Sequence, residues 1–132
     1  MVGHELDFCL VAAGALLHDV AKNKNAHATT GGKWLCELGY PRVGQVIATH
    51  MELPEDAIEA LDERAIVYLA DKLVRGRQRV SLEERFSGAL CTWKDDEKTH
   101  AAVKQKMTVA QQLQERIGEL LFKNKEEGLS LE

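Results

Sequence analysis

Apolar residues recur at three- and four-residue intervals along most of this chain, and no two segments alternate as paired strands would. Val103, Met107, Ala110, Leu113, Ile117, Leu120 and Leu121 keep that spacing from about Glu97 to Phe122. Leu6, Cys9, Leu10, Ala13, Leu16, Leu17 and Val20 keep it from about Leu6 to Ala21, in a stripe wide enough to predict burial on most sides. Aromatic residues make up only 5% of the chain, so a core must come from Leu, Ala, Val and Ile. Small and aliphatic side chains favour closely packed helices over a β-sandwich, and the predicted class is all-α, a compact helical bundle. At 132 residues the chain suits one domain of ordinary size. Such a chain buries roughly 65% of the surface its unfolded form exposes.

Helix punctuation divides the sequence further. Asn23 to Ala26 break the first helix, and a second is predicted from about Thr29 to Leu38, with Gly39 in the left-handed position that ends it. Pro41 reads as the first-turn proline of a third helix ending near His50. Pro54, followed by Glu55–Asp56, starts a short helical turn. Asp62 is a predicted N-cap for a helix from Glu63 to Arg75, closed by Gly76. Ser81 and Glu84 form a capping box for a helix reaching about Thr92, and Asp95–Asp96 precede the last and longest helix. The charged tail from Lys123 is expected to fray, and Leu131–Glu132 read as a cloning remnant. These boundaries describe one domain over residues 1–130, with its motifs in 6–76 and a helical extension over 81–123. The abrupt start onto an apolar helix suggests a domain excised from a longer protein.

Charge and cysteine usage narrow the function classes. The net charge is −4, which gives no electrostatic grip on bulk nucleic acid. Cys9, Cys36 and Cys91 are odd in number and far apart, which predicts free thiols in a reducing compartment, acting as small core fillers. No apolar run reaches the roughly 18 residues of a membrane span, and no signal peptide is visible, so a cytoplasmic location is expected.

The chemistry sits in two strings. In Leu16-Leu17-His18-Asp19-Val20-Ala21-Lys22 an imidazole and a carboxylate stand side by side at the end of an apolar helix, with Lys22 on the same predicted helical face. In Ala65-Ile66-Val67-Tyr68-Leu69-Ala70-Asp71-Lys72 a carboxylate interrupts an apolar run, flanked by Val67 and Val74 at one-turn spacing. An ionised carboxylate in apolar surroundings is costly unless paired, and one cation held by both strings would resolve the cost. Imidazole with carboxylate suits Mn, Fe, Co, Ni, Zn or Mg. The residues alone leave other readings open: a histidine satisfied by its neighbour, an ion pair of Asp71 with Lys22 or Arg75, a helix-capping Lys22, an exposed His27, or a dipole-stabilised His50.

These strings, with His27, Gly31–Gly32, Ile47-x-x-His50 and Leu69-Ala70-Asp71, resemble the HD superfamily of metal-dependent phosphohydrolases in order and spacing over about residues 6–76. The resemblance implies an all-α HD-domain bundle with a centre for one or two divalent metal ions between helices. It implies hydrolysis of a phosphomonoester or phosphodiester, often a nucleotide. It carries metal ligation onto His18, Asp19 and Asp71. His27 and His50 match positions that bind a second metal or contact phosphate, and Lys22 matches a lysine facing the substrate phosphate. Asp19 and Lys22 are therefore the catalytic candidates, with Lys22, His27, His50 and Arg75 as candidate substrate contacts. The segments Tyr68–Gly76 and Ser81–Phe86 are also similar to HD domains fused behind nucleotidyltransferase-like domains, which implies an upstream partner domain.

One departure stands out. The family pattern opens with a further metal-binding histidine on a preceding helix, whereas only His4 lies upstream here, too close to the pair. The expectation is that this ligand lies in preceding sequence or is missing. A rival reading is a catalytically incomplete module that senses a nucleotide or metal. A third is a helical interaction domain, dimerising through the last helix.

Overall fold

The computed structural model describes residues 6–126, with side chains through residue 123. Its elements run α1 (Phe8–Leu17), α2 (His27–Glu37), α3 (Pro41–Ala48), α4 (Glu55–Ala60), α5 (Glu63–Lys72), β1 (Val74–Arg75), β2 (Gln78–Arg79), α6 (Leu82–Thr92) and α7 (Glu97–Glu126). The chain divides into two compact units, residues 1–81 and residues 82–132.

Local chemistry explains most of the boundaries. The Asp7 carboxylate accepts the Leu10 amide and starts α1, and the Asp62 carboxylate accepts the Arg64 amide and starts α5. Pro41 occupies the first turn of α3, where a missing amide proton costs nothing. Gly39 takes φ +97°, the Gly39 amide donates to the Cys36 carbonyl and the Tyr40 amide to the Leu35 carbonyl. That paired closure is the left-handed helix end predicted for Gly39.

In the first unit α1 packs on α3 and α5, and α2 lies along α3. Leu10, Val46 and Val67 meet at the centre of the contact of α1, α3 and α5. Two close approaches depend on absent side chains. A Cβ on Gly14 would collide with Val46, and one on Gly32 would lie 2.6 Å from the Gly44 carbonyl oxygen. In the second unit α6 packs along α7.

Several sequence expectations need correction. The first helix stops at Leu17, and residues 18–25 run as turns, so Lys22 does not share a helical face with His18. Burial of α1 is one-sided: Leu10 and Gly14 are buried, whereas Phe8 is 80% and Leu16 84% exposed. A helix apolar all round carries no polar face to announce its outside, which is why the pattern misled. Helix α5 ends at Lys72, and the chain turns at Gly76 (φ +63°) into a short antiparallel hairpin pairing Val74 with Arg79. Helix α7 runs to Glu126, past the expected end at Phe122, and the rest of the charged tail, with Leu131–Glu132, lies outside the described residues. All three cysteines are free but exposed, not core fillers.

Packing at the glycines yields the first prediction. Gly32→Ala must push backbone apart and is expected to destabilise the protein by about 1–3 kcal/mol. Gly118→Ala, in α7 with open space where its Cβ would stand, is expected to stabilise by roughly 0.5–1 kcal/mol. Urea denaturation of both variants checks the sign of each effect.

Candidate metal centre

Four helix ends and one turn segment bring the titratable groups together. His18 follows the last residue of α1, His27 opens α2, His50 lies two residues beyond α3, and Asp71 is near the end of α5. Asp19 lies in the turn segment after α1. The sequence separation between Asp19 and Asp71 vanishes in space: His18 Nε2 lies 3.1 Å from Asp71 Oδ1 and 3.4 Å from Asp19 Oδ2. The other Asp19 oxygen, Oδ1, lies 3.7 Å from His27 Nε2 and 3.8 Å from His50 Nε2. One carboxylate therefore faces two nests of donors. His18, Asp71 and Asp19 Oδ2 form one, and His27, His50 and Asp19 Oδ1 form the other.

Backbone carbonyls orient two of the rings. His18 Nδ1 donates to the Ala15 carbonyl and His50 Nδ1 to the Ile47 carbonyl, each at 2.7 Å and each three residues back. A carbonyl only accepts, so both Nδ1 atoms carry the proton and both Nε2 atoms turn toward the cluster. His50 is 1% exposed and stands between the other rings, with centroids 4.9 Å from His18 and 5.2 Å from His27.

The donor set fits a divalent ion. Nitrogen and oxygen donors bound at about 2.0–2.2 Å to one ion lie roughly 3–3.5 Å apart. The contacts of His18 with Asp71 and Asp19 fall in that range. Donor atoms of His18, Asp19 and His50 also lie within 4.8 Å of one another. His4, the only histidine before His18, lies outside the described residues.

Electrostatics follow from the same contacts. The hydrogen bond to Asp71 pushes His18 up to about 9, against the opposing effect of burial. Burial alone would raise Asp71, but His18 and the Lys72 ammonium outweigh it and hold its carboxyl well below the usual range. His50 is lowered, chiefly by burial, and stays neutral with its Nε2 lone pair available.

Of the other sequence candidates, Lys22 is exposed and lines a cavity of about 430 Å³ together with His18, Asp19 and Asp71. Arg75 sits on the exposed hairpin and is not among the residues lining that cavity. Lys72, not among the sequence candidates, is 3% exposed and places Nζ 2.9 Å from Asp71 Oδ2. A lysine beside an acidic residue at the end of an apolar helix was the available signal. A second cavity, about 730 Å³, is lined by His27 but not by His18, Asp19 or Asp71.

The HD-domain family model matches residues 2–76, more than half of the chain. This chain belongs to the HD-domain family. That family is of the metal-dependent phosphohydrolase type and binds divalent metals. The chain is also 31% identical over 99 residues to the uncharacterized protein MJ0778 of Methanocaldococcus jannaschii, a match covering 62% of this chain and 59% of that protein. No solved structure matches. No helix among the described residues is long and apolar enough to cross a membrane.

The shifts dictate a pH dependence for metal-free protein. His18 keeps its proton in the fold above 6.5, where the unfolded chain releases it. Its stabilisation is complete below pH 6.5 and is lost as pH rises toward about 9. His50 acts in the opposite sense, and its contribution falls as pH drops below 6.5. The melting temperature in chelator is therefore expected to peak near pH 6.5 and decline toward pH 9, a decline that His18→Gln removes. A flat melting temperature across that interval would contradict the His18–carboxylate pairing.

Proposed function

We propose that this domain hydrolyses a small phosphate ester with the help of one or two divalent metal ions. The observation that carries the reading is Asp19, whose two oxygens face two separate sets of nitrogen and oxygen donors. His18, Asp71 and Asp19 would hold the first ion, and His27, His50 and Asp19 the second. Mn, Fe, Co, Ni, Zn and Mg all suit such ligands. When bound, the metal supplies Lewis acidity toward the phosphoryl oxygens and toward an attacking water.

The protein's own groups do the rest. Lys22 lines the same cavity as His18, Asp19 and Asp71, and its side chain makes no hydrogen bond or ion pair among the described residues. Its ammonium group would neutralise charge that builds on the phosphoryl oxygens. His50 and His18 keep fixed ring orientations through their carbonyl bonds, so their donors need little rearrangement. The larger cavity is lined by His27, Thr29, Ala48, Met51 and Leu53, with Glu52 and Glu55 and no lysine or arginine. It suits the uncharged organic part of a phosphomonoester, such as a nucleoside, better than a further phosphate. The donor sets and Lys22 together favour turnover over a purely sensing role.

The test uses purified protein with added Mn or Co and generic phosphomono- and diesters. Chelator is expected to abolish hydrolysis. Asp71→Asn is expected to lose metal and activity together, whereas Lys22→Ala is expected to keep its metal and lose roughly 10²-fold in kcat/KM. Full metal occupancy and turnover in Asp71→Asn would overturn the assignment.

A further inference from the structure

We infer that Lys72 is a positioning residue for the metal centre: it holds Asp71 to one-oxygen coordination and ties the His50 end of α3 to α5. This rests on the metal-binding reading above and adds to it a residue that touches neither substrate nor metal.

Three contacts converge on one buried ammonium. Lys72 Nζ donates to Asp71 Oδ2 at 2.9 Å and to the His50 carbonyl at 3.1 Å, and it sits 4.4 Å from the centre of the Tyr68 ring. The two oxygens of Asp71 are thereby divided. Oδ2 belongs to Lys72, and Oδ1 faces His18 Nε2 at 3.1 Å. With Oδ2 engaged, Asp71 offers a metal a single oxygen instead of both. The same ammonium reaches across 22 residues to the backbone of His50, whose ring supplies a donor to the other nest. One side chain thus sets the rotation of one ligand and the anchorage of another.

A purely structural role explains this arrangement poorly. Burying an ion pair gains little over an apolar side chain of similar size, because both charges must be stripped of water. At position 72, one turn after the buried Tyr68, a methionine would satisfy packing alone. What methionine cannot do is occupy Asp71 Oδ2 and the His50 carbonyl.

Cobalt(II) is the probe, because its visible absorption reports coordination number and its binding can be titrated without turnover. In Lys72→Met the ammonium no longer engages Asp71 Oδ2, and the cobalt spectrum is expected to weaken in intensity toward higher coordination. Cobalt affinity is expected to fall about tenfold, the usual cost of removing a group that orients a ligand. Lys72→Arg, which restores a charged donor, is expected to recover most of the wild-type spectrum. Should Lys72→Met fail to fold, Lys72→Gln carries the same test, since its amide is too short to reach both partners. A folded Lys72→Met or Lys72→Gln protein with wild-type cobalt spectrum and affinity would overturn the role of Lys72. Wild-type protein that takes up no cobalt would instead overturn the metal reading and this inference with it.

Discussion

A carboxylate near the end of a packed helix must be answered by opposite charge, and Asp71 is the point from which the first unit is organised. Its neighbours Val67, Tyr68 and Leu69 are buried, so α5 faces the interior at this level. The answering groups arrive from different parts of the chain: His18 beyond the end of α1, and Lys72 from α5 itself, which also grips the end of α3. Helix packing must therefore be accurate to a fraction of an ångström at α1, α3 and α5. The close approach of Gly14 to Val46 brings α1 down onto α3, and that of Gly32 to Gly44 does the same for α2. A methyl group at either glycine would change the separation of the histidines that follow or open those helices.

Much of this was legible in the sequence because it depends on local chemistry. Asp62, Gly39 and Pro41 act within one turn of themselves, and their roles follow from capping and backbone preference. His18, Asp19 and Asp71 were legible for a different reason: polar groups in apolar runs demand partners, and the HD-like order supplied the pairing. What escaped notice depended on tertiary context. The one-sided exposure of α1 has no trace in a segment without polar residues. The early end of α5 and the hairpin at Gly76 were hidden because Val74 and Arg75 continue the helical spacing. Lys72 was missed because lysine is expected at a helix C-terminus as a dipole partner, and only the fold shows it turned inward.

The supports on the two sides of the centre differ in kind. His50 and Asp71 are fixed by a backbone carbonyl and a buried ammonium, inside helices or within two residues of one. Asp19 instead rides on the turn segment after α1, where Val20, Lys22 and Lys24 amides each bond three residues back, to Leu17, Asp19 and Ala21. His27 follows that segment directly, at the first turn of α2, whose N-cap Ala26 is in left-handed backbone and offers no side-chain cap. The distances follow this division. His18 Nε2 stands 3.1 Å from Asp71 and 3.4 Å from Asp19, whereas the contacts of Asp19 with His27 and His50 stand at 3.7 and 3.8 Å. Movement costs least in the turns, where few side chains are buried, and most at His50, which is 1% exposed. Any adjustment on binding an ion would therefore fall on Asp19 and His27 rather than on His50.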